Sequence, residues 1–231
     1  ITALELYKQT YPRDPTPYNN LGAIYNQLGQ FENALDNGRQ AVASDPDTIN
    51  GYSTLAIAYA GLGRLEEAKA TLNQAVQRKL GGGSIHLLLA AVAWAEGDSA
   101  TIERELQLAG TGQDGEMNVA FYRTAMAAGS GQAQLMRQQG KKASQASERL
   151  NLKDAAASIY TQVAAAEVVF GETQTALQDV RQALKMSHAP GVILHAASIM
   201  AIAGEDKQAL ELAQTVAARR PYDTMVQFVN I

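Results

Sequence analysis

The chain has 231 residues, no cysteine, and 19 basic against 23 acidic side chains for a net charge of −4. Without cysteine there are no disulfide staples, thiolate metal sites or cysteine nucleophiles. The two charge signs are interspersed, leaving no basic run to neutralise a phosphate backbone, so nucleic acid is not an expected partner.

Hydrophobic residues make up 46% but aromatics only 6%, a balance that suits closely packed helices better than a wide aromatic core. The longest apolar run, Leu87 to Ala95, is far short of the roughly 20 residues that cross a bilayer, so no membrane insertion of this segment is expected. The chain opens at Ile1 without methionine, and we expect a segment of a longer protein.

Residues 1–14 read as the remnant second helix of a preceding unit. Residues 15–48 form the unit that the rest of the chain repeats. Tyr18, Leu21, Gly22 and Tyr25, then Phe31, Ala34, Gly38, Ala41 and Val42, fall at three-and-four spacing on either side of Leu28-Gly29-Gln30, which predicts two antiparallel helices. Thr16 is expected to cap the first, with Pro17 at its first position. Asp45-Pro46-Asp47 ends the second, with Asp47 capping the next helix.

Residues 49–82 repeat the pattern one period later as Tyr52, Leu55, Ala56, Tyr59, Gly63, Leu65, Ala68, Leu72 and Ala75. Residues 83–114 follow, with Ser84 as cap, Gly97 between the helices, and Asp98 or Ser99 opening the second. In residues 115–150 the phase slips: Gly129 is read as the interhelix glycine, and a long second helix from Gln132 to Leu150 is expected to kink at Gly140. An excess before Gly171 predicts two extra helical turns. Residues 151–189 and 190–221 give two further pairs. Pro221 stands where a terminal proline belongs, and residues 222–231 open another unit.

A helix pair recurring at the constant step that separates Pro12 from Pro46 predicts an all-α, right-handed solenoid of stacked antiparallel pairs. The spacing Tyr18-x2-Leu21-Gly22-x2-Tyr25, followed by Ala34, Gly38, Ala41 and Pro46, resembles the tetratricopeptide repeat, with Gly38 in place of its aromatic residue. The segments YPRDP and RRPYDTMVQ are similar to parts of C-terminal repeat regions of bacterial transmembrane serine/threonine kinases. That resemblance implies a regulatory or sensory module in bacterial cytoplasm or periplasm.

The tetratricopeptide resemblance implies that the first helices line a concave groove. Its expected faces are Asn19, Asn20, Ala23 and Asn26, then Asn50, Ser53, Thr54, Ile57 and Ala60, then Leu87, Leu88 and Trp94, changing from amide-rich to apolar. Amides pair with peptide backbone, while Leu88 and Trp94 offer an apolar anchor. Trp94 alternatively fills a gap before the irregular fourth pair. Arg123 is the one cation placed in the groove. The lysine and arginine by which some relatives hold a terminal carboxylate are missing.

No group of residues suggests catalysis. Gly81-Gly82-Gly83-Ser84 lacks the lysine and strand of a phosphate loop. His86, His188 and His195 have no ligand spacing. Arg137, Lys141, Lys142 and Arg149 read as a solvated basic face. The expected function is a non-enzymatic scaffold that binds a protein or peptide partner, with no cofactor or metal. The alternatives are self-association into a homo-oligomer through the truncated repeat ends, or a small-molecule pocket near Trp94, Phe121, Tyr122 and Met126.

Overall fold

The computed structural model describes residues 1–219, which hold thirteen helices and no strand. They are α1 (Thr2–Thr10), α2 (Pro15–Gln27), α3 (Phe31–Ser44), α4 (Ile49–Gly61), α5 (Leu65–Gln77), α6 (Gly83–Glu96), α7 (Ser99–Ala109), α8 (Gly115–Gly129), α9 (Ala133–Arg149), α10 (Lys153–Val169), α11 (Thr173–Met186), α12 (Pro190–Ile202) and α13 (Asp206–Arg219). Pro221 and the repeat expected at 222–231 lie outside the described residues. The chain forms two compact units, Ile1–Gly112 and Gln113–Ile231.

In the first unit, consecutive helices pack as antiparallel pairs that stack in series. Ala34 and Leu35 of α3 meet Leu55 and Ala58 of α4, with Tyr25, Phe31 and Tyr59 around them. Tyr52 and Ala56 of α4, Leu72 and Ala75 of α5, and Ile85 and Leu89 of α6 share the next seam. Each buried leucine here stabilises the stack by about 1.5–3 kcal/mol. The repeat extends to single bonds. The Tyr18 hydroxyl donates to the Pro12 carbonyl at 3.0 Å, and the Tyr52 hydroxyl donates to the Pro46 carbonyl at 3.1 Å.

The second unit is built the same way. Ala127 of α8, Met136 of α9 and Val163 of α10 make one seam. Ala164 of α10, Leu177 and Val180 of α11, and Ile199 and Met200 of α12 make the next.

Several helix starts differ from the sequence expectation. Asp14, not Thr16, caps α2: its carboxylate accepts the Thr16 N–H at 2.9 Å, and Pro15 takes the first helical position. A carboxylate suits the helix dipole better than a hydroxyl, and it also accepts from the Tyr7 hydroxyl at 2.7 Å. Thr48 precedes α4 without a side-chain cap, because Asp47 is taken by Arg78 at 2.8 Å. Gly82 precedes α6, and Ser84 turns back to donate to the Gly81 carbonyl at 2.6 Å. Asp98 does cap α7, accepting from the Thr101 N–H at 3.0 Å.

The phase does not slip at the fourth pair. Gly131, rather than Gly129, holds the left-handed turn (φ 69°), and it stands one full period after Gly97, as Gly97 does after Gly63. The excess falls later, in α9 and α10, each of which is longer than its counterparts α3 and α4 in the first unit. This accounts for about one extra turn in each. Gly140 lies inside the continuous α9 and serves a close approach: a Cβ there would stand 2.5 Å from Val163 Cγ2 of α10.

Candidate peptide groove

The first helices α2 and α4 present polar residues at one face, and these line a groove of about 510 Å³. Its walls hold Asn19, Asn20, Asn26, Asn50 and Ser53, with Ala23 and Ile57 as apolar spots. Every lining residue is uncharged. The groove forms because α4 repeats α2 one period later, so equivalent positions of two helices lie side by side.

The side chains are not equally free. Asn26 donates through Nδ2 to the Thr54 carbonyl at 3.0 Å, tying α2 to α4. Its Oδ1, and that of Asn19, are buried and have no hydrogen-bond partner within the protein. Two acceptors withheld from solvent and unsatisfied by the fold are costly unless a ligand or water supplies a donor. Ile57 is 43% exposed beside them, a large hydrophobe left open.

The structure brings the predicted residues of the first two repeats together and separates those of the third. Thr54 lines the groove, yet its side chain is buried: its Cγ2 sits where a Cβ on Gly22 would fall, 2.5 Å away. It is a packing residue. Leu87 is also buried, because α6 is apolar on nearly every side, with Ile85, Leu89, Ala90, Val92 and Ala93 buried around it. A helix of that kind is covered all round and has little face left to offer. Leu88 is half-buried and packs on the seam of α4, α5 and α6. Trp94 is 40% exposed on α6, so it does not serve as a buried gap-filler. Arg123 lies half-buried on α8 of the second unit, as do Phe121, Tyr122 and Met126, whereas Trp94 belongs to the first.

Of the basic face on α9, Lys141, Lys142 and Arg149 are exposed, whereas Arg137 is half-buried. Arg149 pairs with Glu116 at 2.8 Å, and Arg137 is held by Glu167 and Glu172. His86 Nδ1 lies 2.7 Å from Glu105 Oε2, and His195 Nδ1 lies 3.1 Å from Thr161 Oγ1, where burial pushes its pKa down. The first repeats gave no sign of Gln27 as a lining residue. Its place one turn beyond Ala23 on the same helix face is the signal that finds it.

A family model for the tetratricopeptide repeat matches residues 13–80. Over these residues the chain is similar to that repeat. Heat shock protein STI1 of Saccharomyces cerevisiae is 33% identical over 79 residues, covering 32% of this chain and 13% of the yeast protein. The chain therefore spans a small part of that relative's length. Among solved structures, the Cut9–Hcn1 hetero-tetramer is similar at a TM-score of 0.54 and 15% identity, over 98% of this chain and 45% of that one. A tetratricopeptide repeat protein from Parabacteroides merdae is similar at 0.53 and 12% identity, over 99% and 88%. At such identities the likeness is one of fold: tetratricopeptide pairs stacked in series. No helix among the described residues is long and apolar enough to cross a membrane.

Proposed function

We propose that the chain is a non-catalytic interaction module whose α2–α4 groove binds an extended, uncharged peptide segment of a partner protein, as a regulatory or sensory part of a larger protein. The observation that carries this reading is the pair of buried, unpartnered Oδ1 acceptors of Asn19 and Asn26 in a groove lined without charge. A peptide backbone supplies N–H donors at regular intervals, and a side chain next to them can rest on Ile57 and Ala23. Groove residues Asn20, Asn50 and Ser53 add exposed or half-exposed polar contacts along the path.

The test is peptide selection from a displayed random library, followed by affinity measurement on variants. Asn19→Ala and Ile57→Asp are expected to weaken a selected peptide by about tenfold or more each, with unchanged melting temperature. Because no ion pair is involved, affinity should change less than about twofold between low and high salt. Selected peptides that bind both variants as well as the parent, or that need acidic residues and low salt, overturn the reading.

Self-association is a second reading, carried by α1. None of its residues is buried, and Leu6 is 64% exposed. A mass by light scattering that rises with concentration and reverts in Leu6→Glu supports it.

A further inference from the structure

The first two repeats each place a tyrosine against the turn that precedes them. The Tyr18 hydroxyl donates to the Pro12 carbonyl and the Tyr52 hydroxyl to the Pro46 carbonyl, each six residues back. Tyr52 is buried, in a seam against which Val42 also packs. One period on, His86 stands for the tyrosine, Leu80 for the proline and Val76 for the valine. His86 does not bond the Leu80 carbonyl. Its Nδ1 lies instead 2.7 Å from Glu105 Oε2 on α7.

A slot of about 330 Å³ is open at this place, and Val76, Leu80, Gly82, His86, Leu108 and Thr111 are among the residues that line it. Leu108 is 45% exposed there, a large hydrophobe at the rim. Two acceptors accompany the apolar wall. The Leu80 carbonyl, equivalent to those that receive the tyrosine hydroxyls, accepts no hydrogen bond among the described residues. The other is His86 Nε2. Glu105 Oε1 is taken by the Arg104 guanidinium at 3.1 and 2.9 Å, and Oε2 by His86. A carboxylate so held only accepts, which assigns the imidazole hydrogen to Nδ1 and leaves Nε2 its lone pair.

We propose that this slot takes the phenol ring of a tyrosine presented by a partner polypeptide. The chain supplies the precedent, since in two of its own repeats the equivalent place holds a tyrosine whose hydroxyl donates to the turn carbonyl. The incoming ring lies on Val76, Leu80 and Leu108, and its hydroxyl donates to the Leu80 carbonyl, with His86 Nε2 as the alternative acceptor. Lys79, exposed in the same lining, suits the negative face of the ring. A phenylalanine ring fills the same space but leaves both acceptors unmatched, so the hydroxyl sets the preference. The volume admits one side chain, and the open rim leaves room for the backbone that carries it. No residue of this slot lines the α2–α4 groove, so the two sites stand or fall separately.

The experiment titrates the isotope-labelled whole chain with acetyl-Gly-Tyr-Gly-amide and, separately, with acetyl-Gly-Phe-Gly-amide, following backbone amide shifts by NMR. Expected are shifts confined to residues 76–86 and 105–111 that saturate at millimolar tyrosine peptide, with the phenylalanine peptide about tenfold weaker. His86→Tyr should abolish the response, because the chain's own phenol then fills the slot as it does in the first two repeats. That change also removes one partner of the buried Glu105. Should it unfold the chain by circular dichroism, Leu108→Asp at the exposed rim decides, with an expected loss of about tenfold. Asn19→Ala should change nothing. The proposal is overturned by the absence of a saturable response, by equal binding of the two peptides, or by shifts that map to α2 and α4 instead. Binding that survives in folded His86→Tyr or in Leu108→Asp overturns it as well.

Discussion

At Gly22 a whole repeat interface depends on one missing methyl group. A Cβ there would stand 2.5 Å from Thr54 Cγ2, and one at Gly38 would stand 2.9 Å from the Leu55 side chain and 3.2 Å from the same threonine methyl. Leu55 and Thr54 of the following repeat thus occupy the space that the family's aromatic residue would claim at position 38. Threonine is branched at Cβ and stiff about χ1, and here it is buried, so it cannot swing aside. Gly22→Ala is therefore expected to destabilise the chain by about 1–3 kcal/mol. Thr54→Ser removes the clashing methyl and alone costs about 1 kcal/mol. The double variant should recover most of the Gly22→Ala loss, giving a favourable coupling of about 1 kcal/mol or more in a urea-denaturation double-mutant cycle. Simple additivity of the two changes would mean that the close approach does not set the interface. The departure at Gly38 was visible in the repeat register, but its reason was not. The compensating bulk sits in the next repeat, on a helix whose distance only the fold supplies.

Helix ends and helix lengths separate what the pattern of residues encodes from what it leaves open. The paired helices from Phe31 to Ser44 and from Ile49 to Gly61 were legible because apolar spacing and interhelix glycines both mark them. Caps were less so: several polar residues compete within one turn, and the winner depends on partners such as Tyr7 for Asp14 and Arg78 for Asp47. The fourth pair misled because Gly129 and Gly131 are near neighbours, and only the backbone shows which adopts the left-handed turn. The charged network on α9, α10 and α11 was illegible for a related reason. Arg137, Glu167 and Asp179 stand on three different helices, and a basic helix face looks solvated until a neighbour covers it. That network has a consequence for pH. With Asp179 raised to about 6 and Glu167 raised as well, the folded state holds more protons than the unfolded chain between about pH 4 and 6. Their contribution to stability is fully present below about pH 4 and is lost as pH rises through 6. Arg137 and Lys141 face the same carboxylates and limit the loss, as does the partial exposure of Asp179. About 1–2 kcal/mol is expected between pH 5 and 7.5 after allowance for solvent screening. Hydrogen exchange of α10 and α11 amides, corrected for intrinsic rates, should show less protection at the higher pH. In Asp179→Asn the difference should shrink to less than half. An equal difference in both proteins would place its origin elsewhere.

A chain of stacked pairs has a stability that is close to a sum of unit and neighbour terms, so its parts can be argued separately. The residues that match the tetratricopeptide model, 13–80, and the α2–α4 groove both fall within the unit Ile1–Gly112. That unit has its own seams, from Leu35 and Leu55 through Tyr52, Leu72, Ile85 and Leu89. It contains seven of the thirteen described helices, and the Asn26 bond to Thr54 that ties its first two repeats lies inside it as well. The first-repeat groove positions were legible because the family register places them, whereas Leu87 misled because register says nothing about how thoroughly the next layer covers a helix. The prediction at this scale is that residues 1–112 produced alone form a helical, cooperatively melting domain. Its melting temperature should fall by no more than about 10 °C relative to the same helices in the full chain, the shift expected for a loss of a few kcal/mol. It should also hold a groove-selected peptide within about threefold of the full chain's affinity, and that binding should vanish in Asn19→Ala with Ile57→Asp. Circular dichroism and calorimetric titration read both outcomes. A fragment that is unfolded by circular dichroism refutes the autonomy of the first unit. A folded fragment that has lost the peptide instead refutes the placement of the binding groove between α2 and α4.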